Sequence, residues 1–132
     1  MRALNNTPPL FPYLLAVALK ITGGSEWAMR LAFLPFDLAL ACGLYALARR
    51  FLARPLLPVL IVLACPAFVV GSNLLYPDKM STAFGVIALV GFLKGSQENH
   101  QGWFWGSALI AAAAMLCKYA AVVFPLTVMA YA

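Results

Sequence analysis

An all-α fold, a polytopic bundle of transmembrane helices, is the fold class that this sequence predicts. Apolar residues make up 64% of the chain and charged residues only 10%, against roughly 25% charged in soluble domains. No charged residue occurs between Arg54 and Asp78, and an uncharged apolar run longer than about 18 residues is typical of a membrane-spanning helix. The alternative is a soluble protein in which such a segment is a buried core helix. This alternative is poor, because four apolar segments in 132 residues would all have to be buried in one core.

The apolar segments predict about four spans and one shorter helix. A polar turn that contains Thr7, Pro8 and Pro9 opens the first segment, in which Thr7 can cap the helix. Its apolar part has about a dozen residues, roughly 18 Å of helix, which is too short to cross a bilayer. The predicted elements are an interfacial helix at 5–22, spans at 28–48, 55–75, 80–94 and 103–118, and an incomplete apolar element at 119–132.

Interruptions mark the ends of these elements. Gly23 and Gly24 end the first helix, and the polar stretch 94–102 predicts a loop in which His100 is solvated. The thirty residues from Trp103 to Ala132 would measure about 45 Å as one helix, longer than a hydrocarbon core of about 30 Å. We therefore expect the last apolar segment to break near Lys118.

The distribution of Lys and Arg predicts the orientation in the membrane. Arg49, Arg50 and Arg54 share one side with Lys94, and the positive-inside rule makes that side cytoplasmic. The same rule explains the net charge of +5, so nucleic acid is not an expected partner. The opposite side collects polar and charged groups from four segments. These groups are Asn5–Pro9, Glu26–Arg30, Tyr76–Lys79 and Lys118.

Three charged residues are candidates for chemistry. Asp78 stands where a helix begins, so it either caps that helix or holds a cation or acceptor group at the membrane surface. Lys118 either extends to the lipid headgroups or binds the phosphate of a lipid-linked substrate. Asp37 lies inside a predicted span, where a charge needs a partner or a polar cavity, and its role is open.

Other polar residues have ordinary interpretations. Arg30 is expected to pair with Glu26 four residues earlier. The three cysteines lie inside apolar runs without a CxxC or Cys/His cluster, so a disulfide or metal site is not expected. No phosphate-binding loop, dinucleotide fingerprint, nucleophile elbow or zinc-protease motif occurs in the sequence.

The order of these pieces resembles one enzyme family. A Pro-Pro-Leu turn at Pro8 and Pro9 is followed by Gly-Gly-Ser-Glu-Trp-Ala-Met-Arg-Leu, by Leu-Ala-Arg-Arg-Phe-Leu, by Pro77-Asp78 and by Leu-Cys-Lys-Tyr around Lys118. This pattern is similar to the N-terminal region of GT-C glycosyltransferases of the dolichyl-phosphate-mannose protein mannosyltransferase and aminoarabinose transferase type. The resemblance covers nearly the whole chain, from Asn5 to Leu126.

The resemblance implies a multi-pass enzyme of a bacterial inner membrane. Such an enzyme transfers a sugar from a polyprenyl phosphate to a protein or lipid acceptor on the non-cytoplasmic side, in some cases with a divalent cation. It implies Lys118, Pro8, Pro9 and Asn6 as substrate-binding residues, and Asp78 as a supporting carboxylate or a metal ligand. The catalytic base is expected upstream, in a loop that this chain lacks, so we expect the chain to be an inactive piece of a longer enzyme.

The sequence departs from the family at Asn6 and Thr7, where many members have charged residues or histidine. This departure favours a scaffold slightly, and two other functions stay open. A transporter or channel subunit would use Asp37 and Lys118 as charges along its pathway. A non-catalytic membrane scaffold would keep the fold without the chemistry.

Overall fold

The computed structural model describes residues 8–73 and 77–131, and within these ranges the chain is helical without a strand. The all-α prediction is therefore confirmed. The helices are α1 (Leu10–Thr22), α2 (Glu26–Phe51), α3 (Leu56–Ala64), α4 (Pro66–Asn73), α5 (Pro77–Glu98), α6 (Gln101–Cys117) and α7 (Val123–Tyr131), with a 3₁₀ helix (Tyr119–Val122) between α6 and α7.

The ends of α1 follow the predicted turn residues. Pro9 occupies the N-cap position of α1, and Gly23 ends the helix in a left-handed conformation with φ of 62°. Glycine adopts this conformation without the penalty that a Cβ atom brings. Ser25 is extended and precedes α2, although its side chain makes no capping hydrogen bond. Thr7, the predicted cap of α1, lies outside the described residues.

Among the described helices, α2 alone is both long enough and apolar enough to cross a membrane. It has 26 residues and a mean hydropathy of 1.8 over its most apolar part, which corresponds to about 39 Å of helix. α1 and α6 are apolar but shorter. The structure thus supports one membrane-capable helix and does not confirm a bundle of four spans.

The predicted span at 55–75 is divided into α3 and α4. Cys65 separates them with an extended backbone, at φ −58° and ψ 130°. Pro66 explains the break, since the proline ring disfavours a helical conformation for the residue before it. The segment is therefore two short helices, of 9 and 8 residues.

The loop predicted at 94–102 is wrong for most of its length. α5 continues to Glu98, and only Asn99 and His100 interrupt the helices before α6 begins. The polar residues of this stretch include no proline, and Lys94 pairs with Glu98 one turn later, at 3.8 Å. Asn99 takes a positive φ of 49°, which asparagine tolerates better than most residues. α5 and α6 therefore form a tight helical hairpin.

α5 lies at the centre of the described structure. It runs parallel to α2, with Leu40 of α2 packed in one buried cluster with Ala83 and Val86 of α5. It runs antiparallel to α6, since a Cβ on Gly91 would lie 3.4 Å from Ser107 and one on Gly95 3.0 Å from Trp103. A second buried cluster joins α1, α2, α5 and α6. Its members are Met29, Phe33, Met80 and Cys117, with Leu10, Phe11, Leu14, Leu15, Ala18, Phe36 and Phe84 packed against them.

This packing gives the helices two distinct ends. The Lys118 end holds the N-termini of α2 and α5 and the C-terminus of α6. The arginine end holds Arg49, Arg50 and Lys94, because α2 and α5 run in the same direction. Lys94 follows Lys79 by 15 positions, which places these two lysines of α5 roughly 22 Å apart along the helix axis.

Candidate functional site

Asp78 lies in the first turn of α5, where the helix dipole favours a carboxylate. Its side chain forms an ion pair with the Lys118 ammonium, 40 residues later. Thr82, one turn along α5, donates its hydroxyl to the Asp78 carbonyl oxygen at 2.7 Å. The two residues that the sequence singles out separately are thus direct partners.

Lys118 occupies the break between α6 and the 3₁₀ helix, as predicted. Its backbone is extended, with φ −156° and ψ 130°. Its amide still donates to the Ala114 carbonyl at 3.1 Å, and its carbonyl accepts from the Ala121 amide at 3.0 Å. The chain therefore changes direction at Lys118 while both backbone groups of that residue stay hydrogen-bonded.

A cavity of about 180 Å³ lies beside the Asp78–Lys118 pair. The walls are polar on the α5 side and apolar on the side of the 3₁₀ helix and α7. They consist of Asp78, Ser81, Thr82, Lys118, Ala120, Ala121 and Phe124. Ser81 is buried and donates its hydroxyl to the Ala114 carbonyl at 3.2 Å, which fastens α5 to the last turn of α6 beneath the cavity.

The exposure of the ion pair leaves both charges within reach of a ligand. The Lys118 and Asp78 side chains are 43% and 58% exposed. An ammonium has three N–H donors, and the contact with Asp78 engages one of them. The site can therefore accept an anionic group at Lys118 while Asp78 continues to hold the ammonium in place.

A second ion pair lies on the same turn of α5, on the side that faces α2. The Lys79 ammonium donates to Asp37 Oδ2 at 3.0 Å and lies 2.9 Å from Oδ1. This pair is more enclosed than the first, with the Lys79 and Asp37 side chains 13% and 30% exposed. The sequence requires a partner or a polar cavity for Asp37 inside α2, and the structure gives it a partner, Lys79 of α5.

The N-terminal turn lies at the same end of the bundle. Pro8 is buried and Pro9 is exposed. Leu10 and Phe11, the next two residues, pack against the cluster that contains Met80 and Cys117, and these are close neighbours of Asp78 and Lys118 in the sequence. Asn6, the third candidate of this turn, lies outside the described residues.

The remaining polar predictions concern pairing and capping. Arg30 pairs with Glu26 at 2.7 Å, as expected. His100 is exposed, and its Nδ1 accepts a hydrogen bond from the Gly102 amide at 3.2 Å, so it caps α6. Ser81, Thr82 and Lys79 are site residues that the sequence did not single out. Lys79, Ser81 and Thr82 follow Asp78 by one, three and four positions. In a helix this spacing brings them within about one turn of Asp78, which was the sequence signal that could have identified them.

A divalent cation does not fit the described part of this site on its own. No group of three or more His, Cys, Asp or Glu side chains comes together within the described residues. Asp78 offers one carboxylate, and a lysine ammonium already occupies it, whereas Ca²⁺ and Mg²⁺ take about six or more oxygen ligands. Metal dependence therefore stays a prediction, and its other ligands would have to lie outside these residues.

Comparison with known proteins identifies one family. The family model described as dolichyl-phosphate-mannose-protein mannosyltransferase matches residues 6–132, nearly the full length of the chain. No curated protein and no solved structure matches the sequence significantly.

Proposed function

This chain belongs to the dolichyl-phosphate-mannose-protein mannosyltransferase family, and on that premise we propose that it is part of a membrane glycosyltransferase with a polyprenyl-phosphate-linked sugar as donor. The acceptor is a protein or a lipid, and transfer takes place on the non-cytoplasmic side of a bacterial inner membrane. Residues outside the described ranges, including a catalytic base, complete the active site. The described residues contribute the part that holds the donor phosphate.

The contact between Asp78 and Lys118 is the observation that carries this proposal. It joins the start of α5 to the end of α6 beside a cavity that is polar on one wall and apolar on the other. A lipid-linked phosphate has the same division, with an anionic head and an apolar chain. A lysine that only extended to the headgroups would need no carboxylate partner.

Lys118 is proposed to bind the phosphate of the donor. In a direct displacement, the acceptor hydroxyl oxygen attacks the anomeric carbon, and the bond from that carbon to the phosphate oxygen breaks. The electron pair of the broken bond goes to the polyprenyl phosphate, and the hydroxyl proton goes to a base outside the described residues. The ammonium stabilises the charge that the leaving phosphate gains, an effect that is strong in a partly dehydrated site.

Asp78 is proposed to position Lys118 rather than to act on the sugar. A lysine side chain has four rotatable bonds and loses rotamer entropy when it is fixed on a ligand. The ion pair with Asp78 restricts the ammonium before the donor arrives, so less entropy is lost on binding. Lys118 and Asp78 together are close to neutral, which limits the cost of keeping them near a membrane.

Substitutions in the full-length protein test this assignment. Lys118→Ala should lower sugar transfer by roughly 100-fold, the size of effect seen when one charge-stabilising donor is removed. Lys118→Arg should retain part of the activity, and Asp78→Asn should raise the donor KM. Initial rates with a polyprenyl-phosphate-linked sugar, measured per amount of folded protein, give these values.

Lys94→Ala is the matched control, because it removes the same side chain from the arginine end of the structure. Lys94 is 41% exposed and contacts Glu98 and the Trp103 ring, so its loss should leave transfer near the wild-type rate. If Lys118→Ala and Asp78→Asn both behave like Lys94→Ala, the site assignment is wrong, and a scaffold role becomes the better explanation.

A further inference from the structure

The Asp37–Lys79 pair adjoins the candidate site, but neither residue lines the cavity beside it. Its two members come from α2 and α5 and are 42 residues apart. The Asp37 Oδ1 atom is buried and has no hydrogen-bond donor among the described residues, although the Lys79 ammonium is close enough to balance its charge. Enclosed charges of this kind are unfavourable unless they stay paired.

The pair fixes how α5 is rotated about its own axis. Successive residues of a helix point about 100° apart around the axis. While Lys79 is held against α2, Asp78 is turned by that angle towards the end of α6, where Lys118 lies. A slip or rotation of α5 would separate Lys79 from Asp37, so the enclosed pair disfavours every other register.

Lys79 is also the cation next to Asp78 in the sequence. Asp37 holds the Lys79 ammonium against α2, on a different face of α5 from the Asp78 carboxylate. Asp78 and Lys79 have opposite charges and pair with different parts of the structure. Asp78 pairs with Lys118 at the end of α6, and Lys79 pairs with a carboxylate of α2. The arrangement keeps the two lysines on separate carboxylates.

We propose that Asp37 is a positioning residue, which sets the direction of Asp78 and through it the position of the Lys118 ammonium. This inference rests on the proposed function, because positioning matters only if Asp78 and Lys118 serve the reaction. It assigns a role to a charge inside the apolar helix α2 that does not touch the site itself. The transporter hypothesis, in contrast, treats Asp37 as a charge that a substrate passes.

A double-mutant cycle between Asp37→Asn and Asp78→Asn in the full-length protein tests the inference. We expect Asp37→Asn alone to lower kcat/KM for the donor by roughly 10- to 100-fold, as a small misplacement of a binding group does. In the Asp78→Asn background, the same change should have little further effect, because the group that it positions is already disabled. A purely structural role would give additive losses.

Two further variants keep the test decisive if Asp37→Asn folds poorly. Asp37→Asn/Lys79→Gln removes both charges of the pair together. Its transfer rate should stay below the wild-type rate, because nothing then fixes the rotation of α5, and a wild-type rate in this variant would overturn the positioning role. Glu26→Gln is the matched control, since Glu26 is also a carboxylate of α2 paired with a cation, at 2.7 Å, and it should act at the wild-type rate.

The outcomes separate this inference from the proposed function. If Asp78→Asn impairs transfer while Asp37→Asn does not, or if the two losses add, the positioning role is wrong and the proposed site stands. If Asp78→Asn has no effect on transfer, the proposed site is wrong, and the role of Asp37 is overturned with it.

Discussion

Glycines on α2 and α5 allow neighbouring helices to approach closely. A Cβ on Gly43 of α2 would lie 2.9 Å from Val86, and one on Gly95 would lie 3.0 Å from Trp103. The tightest contact is at Gly85, where a Cβ would lie 2.1 Å from the Phe124 ring of α7. In a membrane, helices attract each other mainly through such close packing, since lipid tails are as apolar as leucine.

Gly85→Ala should therefore displace Phe124 and destabilise the protein. We expect a loss of about 1–3 kcal/mol, the usual cost of overpacking, partly offset by the better helix propensity of alanine. The midpoint of thermal unfolding in detergent measures it. Gly106→Ala on α6 is the control, because nothing lies within 4 Å of a Cβ there. Gly106→Ala should match or exceed the wild-type midpoint, and an equal rise for Gly85→Ala would contradict the close contact.

At the scale of elements, the break between α3 and α4 depends on Pro66, the first residue of α4. Cys65 is extended, yet the Phe68 and Val69 amides on its far side both donate to its carbonyl, at 2.9 and 3.0 Å. The segment 55–75 is apolar on both sides of the break, so composition gives no reason for two helices. Pro66 does, because it has no amide hydrogen and restricts Cys65.

Pro66→Ala should allow α3 and α4 to join into one helix. Spin labels at Leu56 and Val70, both exposed, would then move apart to about 21 Å between backbones, the length of fourteen residues of continuous helix. Pulsed electron resonance measures the distance in wild type and variant. Pro58→Ala, in the first turn of α3 where proline is tolerated, is the control and should leave the distance unchanged. An unchanged distance in Pro66→Ala would show that tertiary packing, not proline, bends the chain.

Local rules predicted the features of this fold that depend on neighbours in sequence. Gly23 ends α1, Glu26 pairs with Arg30, and the backbone breaks at Lys118. Polarity misled the prediction between Lys94 and Gly102, since a polar stretch without proline can continue a helix when its side chains face solvent.

The candidate site was predictable only in its separate parts. Asp78 and Lys118 stood out as charges beside apolar segments, but their contact spans 40 positions and depends on how α5 packs against α6. The pairing of Asp37 with Lys79 depends in the same way on the parallel course of α2 and α5. Helical periodicity gives the face on which a residue lies and does not give the helix that will cover that face.

At the scale of the whole molecule, charge is divided between two ends. At the Lys118 end three basic side chains are paired with carboxylates, those of Arg30, Lys79 and Lys118. Arg49 and Arg50 at the arginine end follow one another without an acidic neighbour in sequence. Unpaired basic groups are retained on the cytoplasmic side. Paired lysines contribute little net charge, so Lys79 and Lys118 weigh little against placing the Lys118 end on the outer side.

This division predicts which end of the molecule faces the outside of the cell. Ser25→Cys reports the Lys118 end and Ser96→Cys the arginine end, and both positions are exposed. Cys42 and Cys65, which are exposed, are replaced by alanine, while the buried Cys117 stays. In intact cells, a membrane-impermeant maleimide should label Ser25→Cys and spare Ser96→Cys, and disruption of the membrane should make both react. Labelling of Ser96→Cys alone would reverse the orientation and place the Asp78–Lys118 pair on the cytoplasmic side, where the proposed transfer could not occur.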